Sequence, residues 1–229
     1  MLGHYLGGGT SQTIGYYPLQ SNANDSSGNG YNMTTTTNTT YSATTGRFGA
    51  GAICSATSAM YLTSATPAIQ PTATFSCWVY ITAYPTSGNY FAFFSQANNS
   101  GPNYFLEFRI GTSGYLMIYN SSSTIISYTS TKALIPLSKW THIACTYILG
   151  TSCSFYMNGA FEDSPTGSGT YTTIGTLTHS ICLGCSYSYS SPQDDLVGNM
   201  CESIFENTQW SAIKIQKYYT GCLGRFISK

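Results

Sequence analysis

The stretch W-T-H-I-A-C-T-Y-I-L-G-T-S-C-S-F-Y-M-N-G runs from Trp140 to Gly159 and is the clearest guide to the fold. Aromatic and β-branched residues, which favour strands, fill it on both sides of Gly150, where the chain turns. The Asn-Gly pair at its end is the strongest short signal for a type I′ hairpin turn. The stretch therefore predicts two antiparallel strands, at 140–148 and 152–157.

The alternation typical of strands recurs along the rest of the chain. Residues 104–110 alternate between two faces, with Tyr104, Leu106, Phe108 and Ile110 on one and Phe105, Glu107 and Arg109 on the other. The other runs predicted as strands are 75–81, 90–95, 115–119, 181–184 and 199–205. One helix is predicted, with Ser211 as its N-cap and Gly221 just past its end. Many short strands and a single terminal helix predict an all-β, two-sheet antiparallel sandwich and not βαβ units.

The charge composition bears on the kinds of partner to expect. Eight basic residues balance eight acidic ones, and only 7% of the chain is charged. Because no basic excess exists to neutralise phosphates, we expect no nucleic-acid partner. Because no run of about 18 apolar residues exists, we expect no membrane span. A near-neutral surface also lacks the charge that keeps molecules apart, so we expect a homo-oligomer or other self-assembly.

The chain divides by composition into three parts. Residues 1–14 are Gly-rich and predict an arm without the basic and apolar regions of a signal peptide. Residues 15–223 form one domain, and 224–229 form a tail. Within the domain, the Thr-rich stretch 34–45 is either a loop or an edge strand. The eight cysteines are interpreted mainly as reduced core residues, with disulfides as the alternative and zinc at Cys182-x-x-Cys185 as the least favoured.

The order of several motifs resembles the laminin-G-like (concanavalin A-like) jelly rolls. The motifs that resemble those of the family are, in chain order, Asn24–Gly30, Gly46–Ala52, Phe75–Val79, Trp140–Ala144, Phe155–Gly159 and Gly198–Phe205 with Trp210-Ser211. The resemblance runs from about Gly15 to Tyr219. It implies two packed antiparallel sheets and a lectin-like binding role.

The resemblance also implies a calcium ion held by Asp25 of the first loop and Glu202 of the closing strand. Calcium prefers six to eight oxygen ligands, which loops rich in Asp and Asn supply. Cys201 stands where the family has an Asp, so one hard ligand is missing. The alternative is that Asp25 only closes an Asx-turn that leads to Gly28.

The acidic residues give little support for catalysis. A glycosidase needs two carboxylates about 5 to 9 Å apart across the sugar bond. Glu202 and Glu206 are the only candidate pair, since residues four apart share one face of a strand. Ile204 lies between them, and Glu206 falls where the strand should end. No Gly-x-Ser-x-Gly motif is present either. We therefore predict that the protein is not an enzyme.

The tract from Ser186 to Ser191 combines Tyr with Ser, a composition typical of adaptable recognition surfaces. Tyr187 and Tyr189 would share one side of a strand and could stack on a sugar. The sequence thus predicts a non-enzymatic lectin-like binding or adhesion module for a surface glycan. We expect it outside the cell or on a virion surface, as a phage structural or host-recognition protein. The alternatives are a self-assembling structural subunit of a filament, capsid decoration or fibre, and a secreted bacterial adhesin.

Overall fold

The computed structural model of the chain describes residues 13–62, 72–97, 105–121, 125–148, 150–168, 181–188 and 191–224. It shows two antiparallel sheets that form a sandwich, with one short C-terminal helix, which confirms the predicted all-β jelly roll. The predictions for the arm at 1–12, for Tyr104, for Tyr189 and for the tail at 225–229 lie outside the described residues.

The larger sheet has eight strands. We call it the helix-side sheet, because the helix α1 (Ala212–Gly224) packs on its outer face. Its strands are β1 (Thr13–Tyr17), β3 (Thr40–Gly46), β4 (Gly49–Cys54), β6 (Thr72–Tyr80), β11 (Thr141–Ile148), β12 (Ser152–Met157), β13 (Ala160–Asp163) and β17 (Gly198–Glu206). They follow the order β13-β12-β11-β6-β17-β4-β3, and β1 pairs with β17.

The second sheet has seven strands, and we call it the open sheet. Its strands are β2 (Thr35–Thr37), β5 (Ala59–Tyr61), β7 (Phe91–Ala97), β8 (Phe105–Ile110), β9 (Tyr115–Ser121), β10 (Ile125–Leu134) and β14 (Ile181–Leu183). They follow the order β10-β9-β8-β7-β14-β5-β2. A separate hairpin consists of β15 (Ser186–Ser188) and β16 (Ser191–Gln193).

The core lies between the two sheets and follows the predicted alternation. Phe75 of the helix-side sheet stacks on Phe94 of the open sheet, with ring centroids 4.1 Å apart. Phe108 of β8 stacks in the same way on Phe155 of β12. Arg109, next to Phe108 in sequence, lies outside this cluster on the outer face of the open sheet. The two faces predicted for β8 are therefore confirmed.

The helix continues further than the sequence predicts. Gly221 was expected to lie just past its end, but α1 runs to Gly224. Cys222 is buried against Trp78 and Cys201, so a further turn gains apolar burial. This burial outweighs the cost of about 1 kcal/mol that a glycine imposes inside a helix. The prediction of a stop at Gly221 was wrong for this reason.

The Thr-rich segment forms the edge strand of both sheets on one side of the sandwich. β2 is the last strand of the open sheet, and β3 is the last strand of the helix-side sheet. Of the two alternatives, loop or edge strand, the second is confirmed. At the N-terminal end, Thr13 and Ile14 belong to β1 and are buried, although composition placed them in the arm.

All eight cysteines are buried and none forms a disulfide in the structure, as expected of core residues. The Sγ atoms of Cys145 and Cys153 lie 3.4 Å apart. In the described part of the chain, no helix combines the length and the hydropathy that a bilayer crossing requires.

Candidate functional site

The loop after β1 is organised by the carboxylate of Asp25. Its Oδ1 accepts hydrogen bonds from the backbone N–H groups of Tyr16 at 3.0 Å and of Ser27 at 2.8 Å. Its Oδ2 accepts from the Ser27 hydroxyl at 2.8 Å and from the Tyr31 N–H at 3.1 Å. The bond from the N–H two residues on is that of an Asx-turn. Four protein donors thus occupy the two oxygens that a calcium ion would need.

Glu202, the second predicted calcium ligand, is buried and accepts a hydrogen bond from the Tyr16 hydroxyl. Its φ of 53° and the register shift between Cys201 and Ile204 mark a β-bulge in the closing strand. Burial raises the pKa of Cys201 to about 12, so the thiol that replaces the family's Asp stays protonated.

The donor set therefore does not fit a calcium ion. Among the described residues, no group of three or more His, Cys, Asp or Glu is placed to hold a metal. We derive no role for calcium from these residues, and calcium binding stays a prediction that chelation can test.

Glu206 does not form an open acid–base pair with Glu202, because both side chains are buried. Thr13 and Trp210 donate to the Glu206 carboxylate, and the Lys214 ammonium lies 2.7 Å from it. These partners come from β1, from the segment just before α1 and from the first turn of α1. Glu206 thus ties the helix to the sheet, and its contacts explain its burial.

The hairpin β15–β16 carries Tyr187, which pairs with Pro192. Nothing is described of the Tyr187 side chain, and Tyr189 lies outside the described residues. The start of the hairpin is fixed to the open sheet, because the buried Ser186 hydroxyl donates to Glu107 on the outer face of that sheet. The predicted sugar-stacking role of Tyr187 and Tyr189 stays a prediction.

On the same face, three side chains form what we call the Tyr–Arg–Tyr stack. The Arg109 guanidinium carbon lies 3.6 Å from the ring centroid of Tyr90 and 4.0 Å from that of Tyr119. Arg109 also pairs with Glu107 at 2.5 Å and lies 3.6 Å from Asp194. Aromatic rings on both sides of a guanidinium attract it and exclude water from it. Only 5% of Arg109 is exposed, so its charge is used inside the protein.

The electrostatics of this cluster are dominated by carboxylates. Burial raises the pKa of Glu107, and the charge of Arg109 opposes that rise. Burial, with the neighbouring charge of Asp194, raises the pKa of Asp195 to about 6. The Asp195 Oδ1 is buried and has no hydrogen-bond partner among the described residues. A carboxylate in that position is most stable when it is protonated.

Next to the stack is an open cavity of about 250 Å³, which we call the tyrosine cavity. Its ten lining residues come from the loop before β7, the turn between β8 and β9, and the strands β9 and β10. They are Ser87, Gly88, Asn89, Tyr90, Gly111, Thr112, Ser113, Tyr115, Met117 and Thr129. None of these ten is charged. The cavity thus combines two tyrosine rings and a thioether with neutral hydroxyl and amide groups.

Sequence reasoning found the strands that build this cavity and did not find the cavity. The alternation placed Glu107 and Arg109 on one face of β8, without indicating what packs beside them. Tyr115, Met117 and Tyr119 alternate along β9, and each is only partly buried. The alternation of large side chains along β9 was the available sequence signal for a site on this face. It does not reveal that Tyr90 and Thr129 lie beside these side chains.

Two packed antiparallel sheets with one C-terminal helix define a jelly roll of the concanavalin A-like class. The sequence profile described as the Concanavalin A-like lectin/glucanases superfamily matches residues 55–215, which is more than half of the chain. The chain belongs to this superfamily, and the family resemblance is confirmed. A search of curated protein sequences finds no significant match.

Solved structures of other proteins share the fold. Domain 4 of a GH43 extracellular arabinanase from Geobacillus stearothermophilus, in complex with arabinotriose, is 21% identical, with a TM-score of 0.67. The match covers 90% of this chain and 97% of that domain. The receptor-binding domain of botulinum neurotoxin type G is 16% identical, with a TM-score of 0.64, and 92% of this chain matches 51% of it.

A third solved structure is the binding domain of Paraclostridial Mosquitocidal Protein 1, at 14% identity and a TM-score of 0.64. That match covers 92% of this chain and 52% of that domain. The chain therefore spans about half the length of the two toxin domains. At these identities the likenesses show the fold alone.

Proposed function

We propose that the protein is a non-enzymatic, lectin-like binding module that takes a glycan in the tyrosine cavity. The observation that carries this proposal is the chemistry of the cavity lining. Tyr90 and Tyr115 offer flat apolar rings, while residues such as Asn89 and Thr129 offer neutral hydrogen-bonding groups. A sugar ring has the matching surfaces, with an apolar C–H face and a rim of hydroxyl groups.

The size of the cavity favours a small ligand. Pockets for drug-sized molecules measure roughly 300–1,000 Å³. At about 250 Å³, this cavity is suited to one or two sugar rings. A disaccharide of about 23 non-hydrogen atoms at ~0.3 kcal/mol each would gain ~7 kcal/mol, a Kd on the order of 10 µM. Because the cavity is open to solvent, we expect weaker binding than this limit.

The names of three structures with the same fold mention binding or a bound saccharide, and this agrees with the proposed binding role. One of them is described in complex with arabinotriose, and two are named for receptor binding or binding. A module of this kind acts where glycans are displayed. We therefore propose a place outside the cell or on a particle such as a phage virion, where several copies would add avidity to weak single sites.

The experiment is a glycan-array screen of the whole chain, followed by calorimetric titration of the best ligand. We expect Tyr115→Ala to weaken binding at least about tenfold, because it removes one stacking ring. Thr129→Trp should block the cavity, since Thr129 is exposed and the larger ring fills the space. Phe161→Ala is the control, because Phe161 is an exposed aromatic outside the cavity. Full affinity in both cavity variants would overturn the proposed site.

A further inference from the structure

We infer that the tyrosine cavity selects uncharged saccharides and discriminates against acidic sugars such as sialic and uronic acids. This inference rests on the proposed function and names the ligand class of the same site. It follows from where the charges of the open sheet lie. A ligand carboxylate is normally held by a guanidinium or an ammonium that can form charge-assisted hydrogen bonds with it.

Arg109 is the nearest buried cation, and it is already occupied. Tyr90 and Tyr119 cover the guanidinium, and Glu107 lies 2.5 Å from it. Its side chain is only 6% exposed. A ligand carboxylate could reach it only by displacing a ring or by replacing Glu107. Either change would break a buried contact of Arg109, which is energetically costly. We therefore expect Arg109 to hold Tyr90 in the cavity wall and not to contact the ligand.

The only other basic residue in the strands of the open sheet is Lys132 of β10. Its charge contributes to lowering the pKa of Asp163, which places it near that carboxylate at the lateral edge. Asp163 also accepts hydrogen bonds from Ser130 and Thr131 of the same strand. Lys132 is an exposed side chain near Asp163, and it is not among the ten lining residues.

Among the described residues, the charged groups that contact the Tyr–Arg–Tyr stack, apart from Arg109 itself, are acidic. Asp194 accepts a hydrogen bond from the backbone N–H of Tyr90, a lining residue, and is only partly buried. Glu107 adds a second carboxyl group beside Arg109, and Asp195 is a further acidic neighbour of Asp194. An acidic sugar would thus lose hydration, gain no counter-charge and meet nearby carboxylates. A neutral sugar has no charge that must be desolvated and none that the carboxylates repel. The cavity therefore discriminates by charge.

The test is an array of paired oligosaccharides that differ only in an acidic cap. We would print N-acetyllactosamine with and without sialic acid, and xylo-oligosaccharides with and without glucuronic acid, among a broad neutral set. Wild-type protein should bind neutral members, and each acidic cap that reaches the cavity should lower the signal. Binding should change little between about 0.05 and 0.5 M NaCl, because no ion pair with the ligand is formed.

Matched variants separate this inference from the proposed function. Thr129→Lys places an ammonium at the cavity and should raise the ratio of acidic to neutral binding about tenfold, whereas Thr129→Gln should not. Wild-type binding to the acidic members equal to or above the neutral ones would overturn the inference and leave glycan binding intact. Binding to no member of the array would overturn both.

Discussion

The two outer faces of the sandwich differ in how they are covered. On the helix-side sheet, α1 seals Trp78 and His142 beneath Tyr219, with ring centroids about 5.5 Å apart. On the open sheet, the hairpin β15–β16 packs against β7 and binds Glu107 through Ser186, while Tyr115 stays partly exposed. Among the described residues, the face under α1 is thus a second core, whereas the face that carries Tyr115 stays partly exposed. A single fold provides both because the helix covers only one of its two sheets.

His142, on the face that α1 covers, is buried and uncharged at physiological pH. The ring is fully buried, and burial lowers its pKa to about 3. Its Nε2 lies 2.7 Å from the Ser76 hydroxyl. The imidazole is therefore neutral at physiological pH and acts as a packing and hydrogen-bonding group. A serine and a histidine in contact do not form a catalytic site here, because the helix excludes substrate from them.

The largest effect should come from opening the sealed face. Trp78→Ala removes a buried ring from between the helix and the sheet, and we expect it to cost about 3–5 kcal/mol of unfolding free energy. Urea denaturation measures this, with Phe161→Ala as the exposed aromatic control at less than about 1 kcal/mol. A loss in Trp78→Ala no larger than in the control would mean that α1 does not seal this face.

The next largest effect concerns the buried ion pair between Arg109 and Glu107 in the Tyr–Arg–Tyr stack of the open sheet. Arg109→Met leaves the buried Glu107 without its cation and should cost about 3 kcal/mol. The double variant Arg109→Met, Glu107→Gln removes the charge as well and should recover part of the loss. Denaturation of the two single variants and the double variant gives the coupling energy. Simple additivity would contradict a tight ion pair inside the Tyr–Arg–Tyr stack.

A smaller effect should appear as pH changes. Because the Asp195 pKa is raised to about 6 in the folded state, its stabilising contribution is complete at low pH. It is lost as pH rises from about 4 through 6, where the folded protein must give up the proton. We expect Asp195→Asn to stabilise the protein by about 1 kcal/mol at pH 8, after allowance for solvent screening. At pH 4, thermal melting of the two proteins should coincide, and a gain at both pH values would refute this cause.

The smallest effect should be that of a calcium chelator. Saturating calcium at 100 times its Kd would stabilise the fold by about 2.7 kcal/mol, and chelation would remove that stabilisation. Since four donors already occupy the Asp25 carboxylate, we expect a Tm shift below about 1 °C. The measurement compares added calcium with chelator in the same buffer. A drop of several degrees on chelation would restore Asp25 and Glu202 as calcium ligands.

Local patterns in the sequence predicted the strands, the faces of their side chains and several turns. Alternation placed Phe108 in the core and Arg109 outside it, because side chains on a strand point to opposite faces in turn. The Asn-Gly pair marked the turn after β12, where Asn158 adopts a positive φ of 48°. The Asx-turn at Asp25, leading to Gly28, was one of the two alternatives for this loop, beside calcium binding. Each of these depends on neighbours within a few residues.

The proposed binding site depends on contacts that no local pattern contains. Tyr90, Tyr115 and Thr129 meet in one cavity because three separate parts of the open sheet lie side by side. The bulge at Glu202 lies in the pairing of β17 with β6, and the Tyr16 hydroxyl that Glu202 binds comes from β1, at the other end of the chain. Sequence by itself determined the strands and their two faces through alternation. Only the tertiary structure decided which face is covered, because burial depends on what packs against it.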